Sequence, residues 1–127
     1  MNTDLITVQK DDILDLVADM MNWRKTRYIP VEDKKGQMVG LVTSSMLLHH
    51  FTRKDDCLRE QPITLVKDIM ITEPITIKPE ASISDALEKM QKHKVGCLLV
   101  VNNGELMGII TEEHFLQITN RLMKRLK

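Results

Sequence analysis

The chain has 127 residues, and its 18 basic side chains (Lys and Arg) are balanced by 18 acidic ones. The length suits one compact domain or two small ones that share a core. The balanced charge offers no long-range attraction for nucleic acid or an anionic membrane, and no apolar run approaches the roughly 18 residues of a spanning helix. With no signal-peptide pattern and only two cysteines, in dissimilar contexts, we expect a cytoplasmic protein without nucleic-acid or membrane partners.

An internal repeat organises the chain. Met1–Val8 aligns with Met70–Ile77, and the same offset continues through the segment that follows. One residue is lost in a later turn, after which the closing residues match, Gly40 with Gly108 and Thr43 with Thr111. We therefore divide the chain into a first domain at residues 1–53, a linker at 54–65 and a second domain at 66–127.

The first copy is predicted to begin with a strand and a helix. Leu5–Val8 reads as a short β-branched strand, and Asp11 and Asp12 suit the start of a helix. The three- and four-residue spacing of apolar residues predicts a helix with one buried face. That face consists of Ile13, Leu16, Val17, Met20 and Met21.

The rest of the first copy is predicted to be a hairpin and a second helix. Strands at Arg27–Glu32 and Met38–Val42 are joined by a turn at Asp33–Gly36, where glycine can adopt a left-handed conformation. Thr43 or Ser44 then caps a helix. The order within the copy is therefore β-α-β-β-α.

The second copy repeats this order. A short helical turn at Val66–Met70 leads into it, Ser82 caps its first helix, and its last helix runs from Thr111 to about Lys124. The predicted strands are Ile75–Ile77, Val95–Val101 and Leu106–Ile110, and the buried face of the first helix is Ile83, Ala86, Leu87 and Met90. Neither copy is large enough to be stable alone. We expect an α+β (mixed α/β) fold of two β-α-β-β-α units, related by a pseudo-twofold axis and packed sheet against sheet.

Several motifs resemble the cystathionine β-synthase (CBS) domain family. They are the leading Met-x-Thr of each copy, Thr76-Ile77-Lys78-Pro79, Arg27-Tyr28-Ile29-Pro30-Val31 and the two glycine–apolar–apolar–threonine closures. Two copies in this order are similar to a CBS-domain pair, or Bateman module. The resemblance implies frequent homodimerisation and binding of an adenosine nucleotide such as AMP, ADP or ATP, or of S-adenosylmethionine. Binding of this kind usually regulates an attached or partner protein.

The resemblance also implies two ligand clefts, each combining the leading strand of one copy with the closure of the other. By position, the first cleft consists of Tyr28, Val42, Thr43, Ser45, Thr72, Pro74 and Ile75. The second consists of Thr3, Leu5, Ile6, Gly96, Cys97, Ile110, Thr111, Glu113 and His114. Arg27 is a candidate phosphate contact, since the family often has a basic residue there.

Two positions depart from the family pattern. The family commonly places an aspartate three residues after the closing threonine, where its carboxylate accepts both ribose hydroxyls. Here those positions are Met46 and His114, and Glu113 is turned about 100 degrees away on a helix. Threonine at a helix start can hold phosphate beside free amides, but it can equally be a plain helix cap. Both interpretations of Thr43 and Thr111 stay open.

The sequence shows no catalytic or metal-binding constellation. It has no Cys-x-x-Cys or His-x-x-x-His spacing and no nucleophile motif, so we expect no enzyme, no metal and no required cofactor. The predicted function is regulation by an adenosine ligand, and the alternative is a structural pair with degenerate clefts that serves only for dimerisation. Because the first copy lacks a lead-in like Val66–Ile69, we expect an N-terminally truncated first domain and a host catalytic or transport domain outside this chain.

Overall fold

The computed structural model describes residues 5–52 and 63–113, and these form an α+β arrangement. The chain divides into two compact units, Ile6–Glu73 in one, and Met1–Leu5 with Pro74–Lys127 in the other. The helices and strands in chain order are α1 (Leu14–Arg24), β1 (Tyr28–Glu32), β2 (Met38–Thr43), α2 (Ser44–Thr52), α3 (Val66–Ile69), β3 (Thr76–Ile77), α4 (Ile83–His93), β4 (Cys97–Asn102) and β5 (Glu105–Thr111). The predicted last helix begins at Glu112, and most of it lies outside the described residues.

The unit Ile6–Glu73 is built on the antiparallel pair β1-β2, in which Tyr28 lies opposite Thr43. Single bridges extend this pair on both sides, from Val8 to Val31 in parallel and from Leu41 to Ile71 antiparallel. The hairpin turn closes as predicted. Gly36 has a φ of 82°, and the Asp33 carboxylate accepts two backbone N–H groups of the turn.

The predicted strand Leu5–Val8 is wrong in extent, because only Val8 pairs. The Val8 N–H donates to the Pro30 carbonyl at 3.1 Å. The next bond of a parallel ladder would run from residue 30 to the carbonyl of Ile6, but proline has no N–H to donate. In the second copy the matching residue is Leu99, whose N–H does donate, to the Ile75 carbonyl at 3.2 Å. One proline therefore shortens the leading strand of the first copy.

The predicted buried face of α1 is partly wrong. Leu14, Val17 and Met21 are buried in the core, whereas Ile13 and Leu16 are exposed. A backbone bond at the start of the helix fixes this orientation. The Leu14 N–H donates to the carbonyl of Thr64, a residue later in the chain, at 2.9 Å. Because α1 is apolar around most of its circumference, periodicity alone could not distinguish the two orientations.

The short helix α3 belongs to the same core. Val66 is fully buried in the cluster that contains Leu14 and Val17, and Ile69 and Met70 pack against that cluster. The sequence repeat places these residues at the start of the second copy. The limits of the repeat and the limits of the compact units therefore differ over residues 66–73.

The unit containing Pro74 onward is built on the sheet β3-β4-β5, with β3 parallel and β5 antiparallel to β4. Ser82 caps α4 as predicted, because its hydroxyl accepts the Asp85 N–H at 3.1 Å and the Asp85 carboxylate accepts the Ser82 N–H. The predicted apolar face of α4 is only half buried. Its inward residues are Ala86 and Met90, whereas Ile83 and Leu87 are exposed.

Candidate functional site

The first closure is the junction between β2 and α2. The Thr43 hydroxyl accepts the Met46 N–H at 3.2 Å, so Thr43 caps the helix, as the sequence predicted. The Ser44 N–H donates to the Arg27 carbonyl at 2.8 Å, which continues the pairing of β1 with β2. Two of the first three helix amides are therefore already bonded within this unit.

The remaining one of these three amides belongs to Ser45, which is exposed. Among the described residues, neither its N–H nor its hydroxyl has a hydrogen-bond partner. The first turn of the nine-residue helix α2 contains no acidic side chain. An amide and a hydroxyl at the positive end of a helix dipole can together hold an anion.

The second closure, between β5 and the following helical turn, repeats the backbone arrangement but not the charge. The Glu112 N–H donates to the Gly96 carbonyl at 2.9 Å, and Cys97 pairs with Thr111 across the sheet. Glu112 and Glu113 are exposed and place two carboxylates at the start of the helix. Two negative charges at this junction repel phosphate, whereas a carboxylate accepts hydrogen bonds from hydroxyl groups, so the junction suits hydroxyl donors better than phosphate.

Cys97 is buried beside the second closure. Burial, with a smaller contribution from the negative charge of Glu112, raises the pKa of its thiol from 9.0 to about 12. The thiol therefore stays protonated at neutral pH and cannot act as a nucleophile or as a thiolate ligand. What it offers a ligand is an uncharged side chain and its backbone.

The segment that leads into the second copy is bound to β2. Leu41 and Ile71 exchange both backbone hydrogen bonds, at 3.0 and 2.9 Å. Gly40 makes this approach possible, because a Cβ on it would lie 2.8 Å from the Ile71 carbonyl oxygen and 2.8 Å from the Met70 sulfur. Thr72, the next residue after the bridge, is exposed in the same unit as Thr43.

The predicted cleft residues have unequal access to a ligand. In the unit Ile6–Glu73, the side chain of Val42 is buried in the core, Tyr28 and Thr43 are half-buried, and Arg27 is exposed. In the other unit, Gly96, Ile110 and Thr111 are half-buried, as are Leu5, Pro74 and Ile75. The Ile75 carbonyl already accepts the Leu99 N–H. Ile6 is half-buried, and Thr3 and His114 lie outside the described residues.

Sequence reasoning missed two features of these junctions. The carbonyl groups of Arg27 and Gly96 each bind the first amide of a helix, and no side-chain motif signals this. The sequence marks Gly40 only as the first residue of a repeated glycine–apolar–apolar–threonine motif. It does not show that the Ile71 backbone approaches at this glycine.

Residues 5–52 and 63–113 offer neither a metal centre nor a membrane span. No three of their His, Cys, Asp or Glu side chains are grouped so that they could hold a metal ion. Over the same residues, no helix has both the length and the apolar character needed to cross a membrane.

Comparison with known proteins decides the family. The family profile of the CBS domain matches residues 1–53 and 66–120. The chain belongs to the CBS domain family. It contains two matched CBS domains, and the tandem pair expected from the repeat is confirmed.

Solved structures of CBS-domain pairs have the same fold. A Vibrio cholerae protein assigned to acetoin utilization (AcuB) is 27% identical, with a TM-score of 0.87 over 99% of this chain and 92% of its own. CBSX2, solved in complex with AMP, has a TM-score of 0.80 at 22% identity, covering 94% and 90%. The CBS pair of MJ0100, solved with 5′-methylthioadenosine and S-adenosylmethionine, has a TM-score of 0.81 at 20% identity, covering 93% of each chain. The α+β CBS-pair fold is thereby confirmed.

Two curated relatives match this chain over only part of their own length. Inosine-5′-monophosphate dehydrogenase of Korarchaeum cryptofilum is 34% identical over 109 residues, which are 85% of this chain and 21% of that enzyme. Arabinose 5-phosphate isomerase KpsF of Escherichia coli is 33% identical over 111 residues, 87% of this chain and 33% of the isomerase. The chain thus spans a fifth to a third of these relatives, and the matched part is a CBS module.

Proposed function

We propose that this CBS pair is a regulatory module, not an enzyme, that binds an adenosine nucleotide and transmits its occupancy to an attached or partner protein. The observation that carries the proposal is the open end of α2, where the Ser45 amide and hydroxyl have no partner among the described residues and lie next to the cap of Thr43. Two structures with the same fold support the ligand class, since they contain AMP in one case and S-adenosylmethionine with 5′-methylthioadenosine in the other. The candidate ligands are AMP, ADP, ATP and S-adenosylmethionine.

The two closures favour different parts of such a ligand. The first combines an open amide and hydroxyl with a helix start that lacks carboxylates, so we assign phosphate to Ser45 and Thr43. Arg27 is exposed, and its carbonyl binds the first amide of α2, so we assign its positive charge to the same phosphate. The second closure presents Glu113, whose carboxylate can accept hydrogen bonds from ribose hydroxyls. The first closure has Met46 where the family commonly has a ribose-binding aspartate, so we propose that it binds the ligand through the phosphate group instead.

Thermal-shift and calorimetric titrations with AMP, ADP, ATP, S-adenosylmethionine and NAD test the proposal. A nucleotide at 100 times its Kd should add about 2.7 kcal/mol to the free energy of unfolding. A chain whose melting temperature does not change with any of these compounds at millimolar concentration is not a nucleotide sensor. The alternative, a structural pair with degenerate clefts, would then be preferred.

A charge placed at the first closure tests the phosphate assignment. Ser45→Glu introduces the residue found at the matching position of the second closure, Glu113. We expect AMP affinity to fall about tenfold or more, roughly 1.4 kcal/mol, while adenosine affinity changes little. The reciprocal control, Glu113→Ser, should leave the phosphate-dependent part of the affinity unchanged. Equal losses for AMP and adenosine in Ser45→Glu would contradict the assignment.

We also propose the partners of this module. The curated relatives carry the module beside a catalytic domain, so we propose that this chain also acts on a host domain, attached or separate. We further propose that the module forms a homodimer and acts in the cytoplasm. Sedimentation of the purified chain tests the dimer, and co-purification of the full-length protein from its native host tests the regulated partner.

A further inference from the structure

The short helix α3 is docked against the start of α1 by three kinds of contact. Val66 is fully buried in the core cluster that also contains Leu14. The Lys67 ammonium lies 3.6 Å from the Asp11 carboxylate. The third kind is a set of backbone hydrogen bonds, each 2.9 Å long, from Val66 to the Asp12 carbonyl, from Lys67 to the Lys10 carbonyl and from Leu14 to the Thr64 carbonyl. The start of α1 is therefore a site that binds a short segment of chain.

The internal repeat places the same kinds of group at the start of α4. At the offset that aligns Met1 with Met70, Leu14 matches Ile83. At the same offset Asp11 matches Glu80, so the apolar and the acidic side chain are both present in the second copy. The backbone groups that bind α3 correspond to the N–H of Ile83 and the carbonyls of Pro79 and Ala81. We call residues 79–83 the α4 docking site.

The groups of the α4 docking site have no occupant among the described residues. Ile83 is 60% exposed, whereas its counterpart Leu14 is fully buried. Glu80 is exposed, and within residues 5–52 and 63–113 its carboxylate has no ion-pair partner and the three backbone groups of the site have no hydrogen-bond partner. The start of α4 does not need a docked segment, because the Ser82 hydroxyl caps it. The site is thus formed and open within the part of the chain that the structure describes.

The segment docked in the first unit shows which chemistry fits such a site. In α3 an apolar residue, Val66, is followed by a basic one, Lys67. The Asp68 carboxylate then accepts the Leu65 N–H at 2.9 Å and closes the turn. Glu80 preserves the charge complementarity with a basic second residue. The α3 helix of a second copy is not available, because its Val66 is already fully buried in its own unit, so the occupant belongs to another protein.

We propose that the α4 docking site binds a short segment of a separate partner protein, the one that this module regulates. The segment is a helical turn with the apolar–basic–acidic order of α3. Its apolar side chain covers Ile83, its basic side chain pairs with Glu80, and its backbone bonds to the three open groups of the site. We take the partner's role from the regulatory function proposed above. Docking itself involves no nucleotide, so a nucleotide titration and the peptide titration below can fail independently.

Nuclear magnetic resonance titration of the full chain with a synthetic peptide tests the apolar contact. The probe is a blocked peptide with the sequence of residues 63–70, added without nucleotide. The Ile83 amide signal should shift and saturate at millimolar peptide, whereas the Leu14 amide, already bonded to the Thr64 carbonyl, should not move. Ile83→Glu should raise the peptide Kd about tenfold or more. The control Leu16→Glu alters a side chain of similar exposure, 56%, on α1 and should leave the Kd within about twofold of the wild type. Unchanged melting temperatures establish that both variants are folded.

A charge exchange tests the pairing with Glu80. A peptide carrying Lys67→Glu should bind the wild type about threefold or more weakly, and Glu80→Lys in the protein should restore its affinity. Failure of that restoration overturns the assigned orientation of the segment. The site itself is overturned if the Ile83 amide does not respond at millimolar peptide, or if a peptide of reversed sequence gives the same response. Shifts of the Ile83 amide with protein concentration alone would assign the site to a second copy and overturn the partner.

Discussion

Replacing Gly40 with alanine tests the close contact between β2 and the segment leading into the second copy. The new Cβ would lie 2.8 Å from the Ile71 carbonyl oxygen, closer than side chains are found in proteins, and 2.8 Å from the Met70 sulfur. The thioether can move, but the carbonyl is held by the bridge in which Leu41 and Ile71 exchange two hydrogen bonds. We therefore expect the bridge to open.

The energetic cost of this substitution has two sources, the broken bridge and the crowded Cβ. Each backbone hydrogen bond contributes about 0.5–1.5 kcal/mol net, and overpacking costs about 1–3 kcal/mol. Partial relaxation makes these terms overlap, so Gly40→Ala should lower the free energy of unfolding by about 2–4 kcal/mol. For a chain of this size, that corresponds to a fall of about 10 °C in the melting temperature.

Urea denaturation and amide hydrogen exchange measure the effect. The Ile71 and Leu41 amides should lose protection in Gly40→Ala, whereas the interior of β4 should keep it. Gly36→Asn is the matched control, because nothing lies within 4 Å of a Cβ there and asparagine tolerates its φ of 82°. Its cost is that of a left-handed backbone conformation alone, about 1 kcal/mol, and it should leave the Ile71 amide protected. A Gly40→Ala variant of wild-type stability, with the Ile71 amide still protected, would refute the steric argument. Recovery in Gly40→Ala/Met70→Ala would identify the thioether, not the carbonyl, as the obstacle.

Two further predictions concern α4 and the buried thiol. Ser82→Ala removes the capping hydroxyl of α4 and should lower the free energy of unfolding by about 1 kcal/mol in urea denaturation. Ser82→Asp should retain most of the capping stabilisation. Equal losses of stability in both variants would exclude a capping role. Because folding raises the pKa of Cys97 from 9.0 to about 12, its stabilising contribution is complete below pH 9 and is lost as the pH rises toward 12. The stability difference between the wild type and Cys97→Ala should therefore shrink by about 1.4 kcal/mol per pH unit above 9, and a difference that is constant to pH 11 would contradict the shift.

Local signals predicted most of the secondary structure. The hairpin in each copy follows from apolar runs separated by a turn with glycine, and Ser82 with Asp85 is a capping pattern that needs no tertiary context. Strand limits were correct to within two residues for β1, β2, β4 and β5. These features are stabilised by residues close in sequence, so the sequence is sufficient to find them.

The errors arose where distant residues decide. The orientation of α1 depends on the bond between Leu14 and the Thr64 carbonyl, 50 residues away in the chain. The leading strand of the first copy depends on Pro30, which was visible in the sequence but whose missing N–H matters only once the pairing partner is known. At the candidate site, the hydroxyl positions at the closures were predictable from the repeat. The sequence could not show which helix amides remain open. The other amides bind the backbone carbonyls of Arg27 and Gly96, and a backbone carbonyl carries no sequence signal.

The proline in β1 also affects how a ligand could be held. Since the Ile6 carbonyl finds no N–H on Pro30, the backbone of Leu5 and Ile6 forms no hydrogen bond with the described residues. Both residues are predicted contacts of the second cleft. A ligand that binds there finds the Ile6 carbonyl free to accept a hydrogen bond, which contributes about 0.5–1.5 kcal/mol net. The matching carbonyl of Ile75, before β3, is already bonded to the Leu99 N–H. The substitution of one proline therefore changes which backbone acceptor the repeat offers to a ligand.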